Sequence, residues 1–298
     1  MQVRMTALGA FAVVLGLMTT APAGAQTADA TPRLVTVEGG AMRVWAAGLD
    51  RRDAGQPVVV LEAGAGAGLE NWRPVFAQIA GRFPVLAYDR RGIGQSVADS
   101  ETPTLRRVAR SLRALLTSMR VAPPYLLVGH SWGGLFVRAF AEQYPTDVSG
   151  LLFLDVTDFE TTNEERAAAV SPADRARVTA PPTMPPIPPD TPAGLRAEMQ
   201  VISSEMTREY PEARSLRPPT SIPTGVVVAT PPGRLQGLVG VMVRLQIKHQ
   251  LEWTTGSPKG MFLAASHVGH MVHHADPDLV VRLLERVARS SATGAAPK

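Results

Sequence analysis

The stretch that decides the fold is residues 125–144, which read YLLVGHSWGGLFVRAFAEQY. Residues 125–128 are apolar and typical of a buried strand, and residues 135–144 favour a helix. The turn between them, residues 129–133, reads GHSWG and matches the pattern G-x-S-x-G. A sharp strand-to-helix turn of this kind exposes its central serine, and the residues two positions before and after it must be small. We therefore predict that Ser131 is a nucleophile.

Strand-like and helix-like segments alternate on both sides of this turn. Residues 34–37 and 42–46 predict a hairpin, and the apolar runs predict buried strands at 57–62, 83–88, 150–155, 226–229 and 260–265. Helical patterns occupy 71–80, 105–119, 236–252 and 276–289. The alternation predicts an α/β fold, with a mainly parallel sheet covered by helices on both faces.

Residues 157–218 interrupt the alternation. They are polar, with helix-prone patches at 164–178 and 193–209 on either side of a proline-rich stretch. Because the strand–helix pattern resumes afterwards, we interpret 157–218 as a cap inserted into one core formed by 32–156 and 219–292. The alternative is a disordered linker. Several apolar residues of the cap either form a wall of the substrate pocket or pack the cap onto the core: Met184, Ile187, Met199, Ile202 and Met206.

The N-terminus has the pattern of a signal peptide. A positive charge at Arg4 precedes an apolar run from Ala7 to Met18, and small residues at 23–25 suit cleavage after Ala25. The run is too short to span the roughly 30 Å hydrocarbon core of a bilayer, which disfavours a membrane anchor. We expect a periplasmic or secreted protein without stable membrane insertion. The chain contains no cysteine, so it has neither disulfides nor a thiol for lipid attachment.

Composition places the chain among ordinary globular proteins. It has 298 residues, of which 45% are hydrophobic and 19% charged, with a net charge of +4. Four arginines share one predicted helix: Arg106, Arg107, Arg110 and Arg113. Without aromatic interleaving or a nucleic-acid motif, this stripe is interpreted as a solvated face, and no nucleic-acid partner is expected.

A serine nucleophile needs a base, and six histidines could supply it. They are His130, His249, His267, His270, His273 and His274. His130 lies inside the turn and is expected to pack away from the pocket, and His249 lies within a predicted helix. The other four follow the last predicted strand.

This last loop makes the chain similar to a known family. Gly269-His270 precedes a helix start at Asp276-Pro277. Together with the turn around Ser131, it resembles the α/β-hydrolase fold family, whose serine hydrolases carry the base in a Gly-His loop after the last strand.

The resemblance implies that His270 is the base, and His267 is the alternative. His273 and His274 are expected to line the loop or to face solvent. The family segment after the fourth strand is matched by residues 88–96, YDRRGIGQS, for which we expect a structural role.

The acid that orients the base is less obvious. Much of the family places it just after the seventh strand, but no Asp or Glu occurs here between Glu212 and Glu252. Some members place it after the sixth strand, which implies Asp155. Asp158 and Glu252 are the alternatives.

The resemblance also implies an oxyanion hole of two backbone amides. One is the amide of Trp132, directly after the nucleophile. The other lies in the loop after strand 57–62, where this chain has glycine and alanine instead of the family's His-Gly. Alignment of Gly64 with the family glycine implies the amide of Ala65.

The nucleophile type narrows the expected chemistry. Epoxide hydrolases and haloalkane dehalogenases of this family use Asp at the turn, so Ser131 disfavours both. The leading hypothesis is hydrolysis of a carboxylic ester on a small-molecule acyl substrate. Alternatives are an aminopeptidase, a perhydrolase, a carbon–carbon bond hydrolase, and a ligand-binding or receptor protein that retains the triad. An aminopeptidase would need cap carboxylates facing the substrate, for which the candidates are Glu164, Glu165, Glu198 and Glu205.

No cofactor and no metal is expected. The chain lacks a cluster of histidines and carboxylates with metal spacing. The glycines at 64, 66 and 68 have the wrong spacing for a dinucleotide site.

Overall fold

The computed structural model describes residues 31–180, 186–257 and 259–292. The predicted signal peptide at 1–25 and the cap residue Met184 lie outside these ranges.

The core is one sheet of eight strands in the order β1-β2-β4-β3-β5-β6-β7-β8. The strands are β1 (Arg33–Val37), β2 (Gly40–Ala47), β3 (Val58–Glu62), β4 (Val85–Tyr88), β5 (Tyr125–His130), β6 (Val148–Leu154), β7 (Thr224–Ala229) and β8 (Met261–Ala265). β1 and β2 pair antiparallel, as do β2 and β4, and all other pairs are parallel. The predicted α/β class with a mainly parallel sheet is confirmed.

Both faces of the sheet are buried, which explains the continuous apolar runs. In β3, Val58 and Val60 belong to one hydrophobic cluster, and Val59 and Leu61 belong to another on the opposite face. Side chains alternate across a strand, so a strand covered on both faces must be apolar at every position. Full burial of each such side chain contributes about 1.5–3 kcal/mol relative to exposure.

Helices cover the two faces and also occur in the segment between β6 and β7. They are α1 (Arg73–Ala80), α2 (Leu105–Ser118), α3 (Gly133–Gln143), α4 (Asn163–Ala168), α5 (Arg175–Thr179), α6 (Ala193–Thr207), α7 (Pro211–Ser215), α8 (Gly237–Thr255), α9 (Val272–Ala275) and α10 (Pro277–Ala292). We call residues 157–218 the cap segment; it contains α4 to α7. Among the helices of the described residues, none has the length and apolar composition needed to cross a membrane.

Prolines explain where predicted helices begin or divide. The patch 164–178 is divided into α4 and α5, because Pro172 starts a separate 3-10 turn that interrupts it. Pro277 begins α10, where its missing N–H costs no helical hydrogen bond, and α9 precedes it as a short separate turn.

Three of the four arginines of the stripe on α2 pair with neighbouring acids. Arg106 pairs with Glu142, Arg107 with Asp99 and Glu101, and Arg113 with Asp147. The apolar face of the same helix is buried against the core.

Candidate active site

The turn between β5 and α3 holds Ser131 in a strained backbone conformation. Its φ is 53°, in the left-handed region that residues other than glycine rarely adopt. The amide of Ser131 donates to the carbonyl of Leu154 at 3.1 Å, and its carbonyl accepts from the amide of Gly134 at 3.1 Å. These two bonds keep the serine at the C-terminal edge of the sheet.

The glycines at 129 and 133 are needed because backbone passes directly beside them. A Cβ atom on Gly129 would lie 2.6 Å from the Cα of Gly134, and one on Gly133 would lie 2.4 Å from the carbonyl oxygen of Glu62. Both distances are far shorter than van der Waals contact. The G-x-S-x-G spacing therefore reflects a steric requirement of this turn.

Asp155, at the end of β6, is bonded to the predicted base. Nδ1 of His270 lies 2.6 Å from Oδ2 of Asp155, whose side chain is fully buried. Because an ionised carboxylate only accepts hydrogen bonds, Nδ1 carries the proton and Nε2 is left free to accept one. His270 itself is half exposed, with 53% of its side chain accessible.

Arg234 is a further partner of Asp155. Its Nη1 donates to both carboxylate oxygens, at 2.7 and 2.8 Å, and to the carbonyl of Ala229 at 2.8 Å. The amide of Ala229 also donates to Asp155 Oδ1, at 3.0 Å. Burial alone would raise the pKa of Asp155, but the hydrogen bond from His270 and the charge and hydrogen bond of Arg234 outweigh it, so the pKa is lowered. Asp155 is therefore ionised at neutral pH.

Sequence reasoning missed Arg234. The residue lies in the 3-10 turn Pro232–Leu235 that follows β7, close in sequence to where much of the family places its acid. An arginine in a turn carries no pattern that would mark it as a partner of Asp155. Only the pairing of β6 with β7 brings the two residues together.

The other acid candidates do not contact His270. Oδ1 of Asp158 accepts from the amides of Glu160 and Thr161, at 3.1 and 3.2 Å, and so closes a local turn. Glu252 is exposed on α8.

The remaining histidines have other partners. His267 is bonded to Asp276 at 2.9 Å, and His249 to Glu165 at 3.0 Å. His274 reaches the carbonyl of Asn71 at 2.8 Å.

His273 contradicts its expected place on the loop lining or in solvent, since it is fully buried. Its Nε2 lies 2.5 Å from Oδ1 of Asn71, and its ring packs against Trp72. Burial lowers the pKa of His273 to about 2 and that of His130 to about 4. Both rings are therefore neutral near pH 7 and are poor proton acceptors.

His130 supports the loop that carries the base. Its Nε2 lies 2.9 Å from the carbonyl oxygen of His270, and the two rings are 4.7 Å apart between centroids. Within the described residues, Ser131 Oγ has no hydrogen-bond partner, and Nε2 of His270 has none either. Catalytic hydrogen bonds of this type commonly form only when substrate binds.

The oxyanion loop, residues 63–66, lies directly against the nucleophile. A Cβ atom on Gly64 would lie 3.1 Å from Cβ of Ser131, so glycine permits the close approach. Among the described residues, the amides of Ala65 and Trp132 have no hydrogen-bond partner. These are the two amides that the sequence predicts as oxyanion donors.

Asp89, in the segment 88–96, binds backbone amides just after the oxyanion loop and within its own segment. Asp89 accepts from the amides of Leu69 and Gln95, at 2.7 and 3.1 Å. Its carboxylate is enclosed so closely that a Cβ atom on Gly94 would lie 2.2 Å from it.

An open cavity of about 880 Å³ lies between the oxyanion loop and the cap segment. Its apolar side is formed by Ile187, Leu195 and Met199 of the cap segment, next to Ala65 and Gly66. Within the described residues, no group of three or more histidine or carboxylate side chains is placed to hold a metal ion.

Comparison with known proteins concerns the fold of the chain. The family model of the alpha/beta hydrolase fold matches residues 57–185, which include the oxyanion loop, the serine turn and Asp155. The chain has the α/β-hydrolase fold. A relative of this α/β-hydrolase, the uncharacterized protein YqjL of Bacillus subtilis strain 168, is 35% identical over 105 residues. That match covers 35% of this chain and 42% of the Bacillus protein, so the chain spans less than half of that relative's length.

Solved structures share the fold of this α/β-hydrolase over most of its length. A thermophilic esterase from Thermogutta terrifontis has a TM-score of 0.57 at 18% identity, over 88% of this chain and 99% of that one. A serine hydrolase involved in carbazole degradation, CarC, has a TM-score of 0.60 at 20% identity, over 87% of this chain and 99% of that one. At these identities the likeness concerns the fold alone.

Proposed function

We propose that this α/β-hydrolase is a serine hydrolase that cleaves a carboxylic ester through an acyl-enzyme on Ser131. The observation that carries the proposal is the 2.6 Å bond between His270 and Asp155, beside a serine held at φ 53° in the turn. A base oriented by a buried, ionised carboxylate, together with a partly buried serine at the turn, is the arrangement that acyl transfer requires.

The reaction follows from the placement of these groups. His270 Nε2 accepts the proton of Ser131 Oγ as this oxygen attacks the ester carbonyl, and the carbonyl oxygen becomes an oxyanion bound by the amides of Ala65 and Trp132. The protonated His270 then gives its proton to the leaving alcohol, which leaves an acyl-enzyme. Water attacks the acyl-enzyme with the same base and donors, and releases the carboxylic acid and free Ser131.

The cavity beside the oxyanion loop supports a substrate with an apolar group. It begins at Ala65, whose amide is one proposed oxyanion donor, and continues along the apolar side chains of the cap segment. An alkyl or aryl group, on either the acyl or the alcohol side of the ester, would bury its apolar surface in this cavity.

The cap carboxylates do not favour an aminopeptidase. Glu198 is bonded to Arg90, Glu205 to the amides of Glu212 and Ala213, and Glu165 to Lys248 and His249. The fourth candidate, Glu164, is exposed on α4. Ester cleavage remains the better supported activity.

A fluorophosphonate probe tests whether Ser131 is an activated nucleophile. We expect the folded protein to be labelled at Ser131 and the Ser131→Ala variant to remain unlabelled, with mass spectrometry locating the adduct. If the wild-type protein stays unlabelled while a known serine hydrolase reacts in parallel, the protein is a binding or receptor protein of this fold. Nitrophenyl esters of increasing chain length, with a lactone and an aminoacyl amide, then identify the preferred acyl group.

We also propose export, with cleavage after Ala25. The support is the sequence pattern alone, because residues 1–25 lie outside the described ranges. N-terminal sequencing of the mature protein after cell fractionation tests this. A mature chain that begins at Gln26 outside the cytoplasm would support export, and an intact N-terminus in the cytoplasm would exclude it.

A further inference from the structure

Three consecutive peptide groups of the oxyanion loop are bonded to two buried side chains. Arg90 Nη1 donates to the carbonyl of Ala63 at 3.0 Å, and Arg90 Nη2 donates to the carbonyl of Gly64 at 2.9 Å. The amide of Gly66 donates to Oε1 of Glu198 at 2.7 Å. Each of the three peptide planes in this stretch therefore has one polar atom held by Arg90 or Glu198.

The middle plane carries the proposed oxyanion donor. The carbonyl of Gly64 and the amide of Ala65 belong to one planar trans peptide group, so they point in opposite directions. The carbonyl of Gly64 accepts from Arg90 and also from the amide of Ala67, at 3.1 Å. Because that oxygen is held on one side, the N–H of Ala65 is directed to the other side and has no partner there.

Arg90 is held in turn by carboxylates on two sides. Its Nε and Nη2 donate to the two oxygens of Glu198, both at 2.8 Å, and its Nη1 donates to Glu62 at 2.7 Å. Arg90 and Glu198 are each only 2% exposed, so solvent does not screen these bonds. Tyr88 donates to the far oxygen of Glu62, and burial raises the pKa of Glu62.

Glu198 belongs to the cap segment, and the helix that carries it is seated tightly on the loop. A Cβ atom on Gly66 would lie 3.0 Å from Cδ1 of Leu195 and 3.5 Å from Cε of Met199. Leu195, Glu198 and Met199 follow the i, i+3, i+4 spacing of one helix face. One face of α6 therefore covers the loop with two apolar side chains and the carboxylate between them.

The start of α6 meets the core backbone to backbone. A Cβ atom on Gly194 would lie 2.3 Å from the Cα of Gly92, so only glycine fits there. This contact sets the distance between the helix and residues 88–96. That distance allows the side chain of Glu198 to bond to Arg90 and to the amide of Gly66.

We propose that Glu198 is a positioning residue for the hydrolase reaction: through Arg90 and the amide of Gly66 it aims the N–H of Ala65 at the oxyanion. The cap segment then completes the oxyanion hole in addition to covering the substrate. The inference rests on the proposed function, because an oxyanion hole matters only if Ser131 forms a tetrahedral intermediate.

The test compares Glu198→Ala and Glu198→Gln with Glu205→Gln in the full-length protein. Glu205 is a matched control, because it is also a buried carboxylate of α6. Among the residues that the structure describes, its carboxylate accepts only from the amides of Glu212 and Ala213, both within the cap segment. For each protein, kcat and KM are measured with a nitrophenyl ester and with the corresponding thionoester. Circular dichroism provides the folded fraction, to which the rates are normalised.

We expect Glu198→Ala to lower kcat on the oxygen ester by about 10- to 100-fold, which is less than the loss of a whole oxyanion donor, roughly 10²–10³. KM should change less than about twofold, because the ground-state carbonyl is bound weakly by these donors. In the thionoester, sulfur replaces the carbonyl oxygen; it is larger and a weaker hydrogen-bond acceptor, so it gains less from the oxyanion donors. Loss of a donor's orientation should therefore slow the oxygen ester more than the thionoester, and the ratio of their rates should fall together with kcat. Glu198→Gln should show a smaller fall in the same ratio, and Glu205→Gln should leave the ratio unchanged.

An unchanged ratio in both Glu198 variants would overturn the inference, even if stability or KM changed. If Glu198→Ala does not fold, Glu198→Gln decides the question, because it preserves the size of the side chain. Absence of ester hydrolysis and of probe labelling in the wild-type protein would instead contradict the proposed function itself, which distinguishes the two failures.

Discussion

Two arginine–carboxylate clusters lie on either side of Ser131, and they differ in their contact with water. In the first, Arg234 pairs with Asp155 beside His270, and the arginine side chain is 28% exposed. In the second, Arg90 lies between Glu62 and Glu198 with only 2% of its side chain exposed. The first holds the group proposed to move the proton, and the second holds the backbone proposed to bind the oxyanion.

Both clusters pair arginine with carboxylates, but because they differ in burial they suit different physical roles. A base must exchange protons with substrate and water, so its cluster opens to solvent on the side of His270. The oxyanion loop must not move, and a dry cluster serves this because its hydrogen bonds have no competing water. The dry cluster is correspondingly vulnerable, since removal of one partner leaves an uncompensated buried charge.

The largest expected effect concerns the orienting carboxylate of the solvent-facing cluster. Asp155→Asn should lower kcat by about 10⁴, because an amide no longer stabilises the protonated His270 and can favour the wrong tautomer. Steady-state kinetics on the nitrophenyl ester measures this. Asp158→Asn is the matched control and should retain the wild-type kcat within about twofold, since its carboxylate closes a local turn. A large fall in the control and none in Asp155→Asn would transfer the role of acid to Asp158.

The next largest effect is expected on the free energy of unfolding, when the arginine of the buried cluster is replaced. Arg90→Met should lower the free energy of unfolding by about 3–5 kcal/mol, because Glu62 and Glu198 would be left buried without their cation. Urea denaturation followed by circular dichroism measures this free energy. A loss below about 1 kcal/mol would mean that both carboxylates are protonated in the native protein and that the cluster is not ionic.

The smallest effect is expected at Arg234, the partly exposed arginine. Arg234→Gln should lower the free energy of unfolding by about 1.5–3 kcal/mol near neutral pH, as for a hydrogen bond to a charged group. Because Arg234 helps to lower the pKa of Asp155 in the folded state, its stabilisation is fully present above the unfolded pKa of roughly 3.9. It is lost as the pH falls through the lower folded value, where Asp155 becomes protonated.

Urea titrations of the wild-type protein and Arg234→Gln across this pH range test the sign. The difference between the two proteins should shrink on acidification. A difference that grows instead would show that Arg234 acts through a group other than Asp155.

The parts of the site that depend on local geometry were predictable. The glycines at 129 and 133 mark the serine turn, because a Cβ atom at either position would clash with neighbouring backbone. The apolar runs indicate strands buried on both faces, and the confirmed α/β fold follows from their alternation with helical segments. The resemblance of the Gly-His loop after the last strand to that of the family implied His270 as the base, with His267 as the alternative.

The partners of these residues were not predictable to the same degree. Asp155, Asp158 and Glu252 remained alternatives because orientation of a base depends on which carboxylate the sheet brings within hydrogen-bond distance. His273 was expected on the loop lining or in solvent, but its packing against Trp72 and Asn71, about two hundred residues earlier in the chain, buries it. Arg234 and Glu198 carry no local pattern at all.

The sequence by itself determined the sheet, the serine turn and the identity of the nucleophile candidate, because periodicity and steric need act over a few neighbouring residues. Only the tertiary structure decided which charges meet. Glu198 reaches Gly66 across 132 positions of the chain, and His270 reaches Asp155 across 115. Which charged groups pair depends on their distance in space and on their burial in the fold, and the local pattern of residues determines neither.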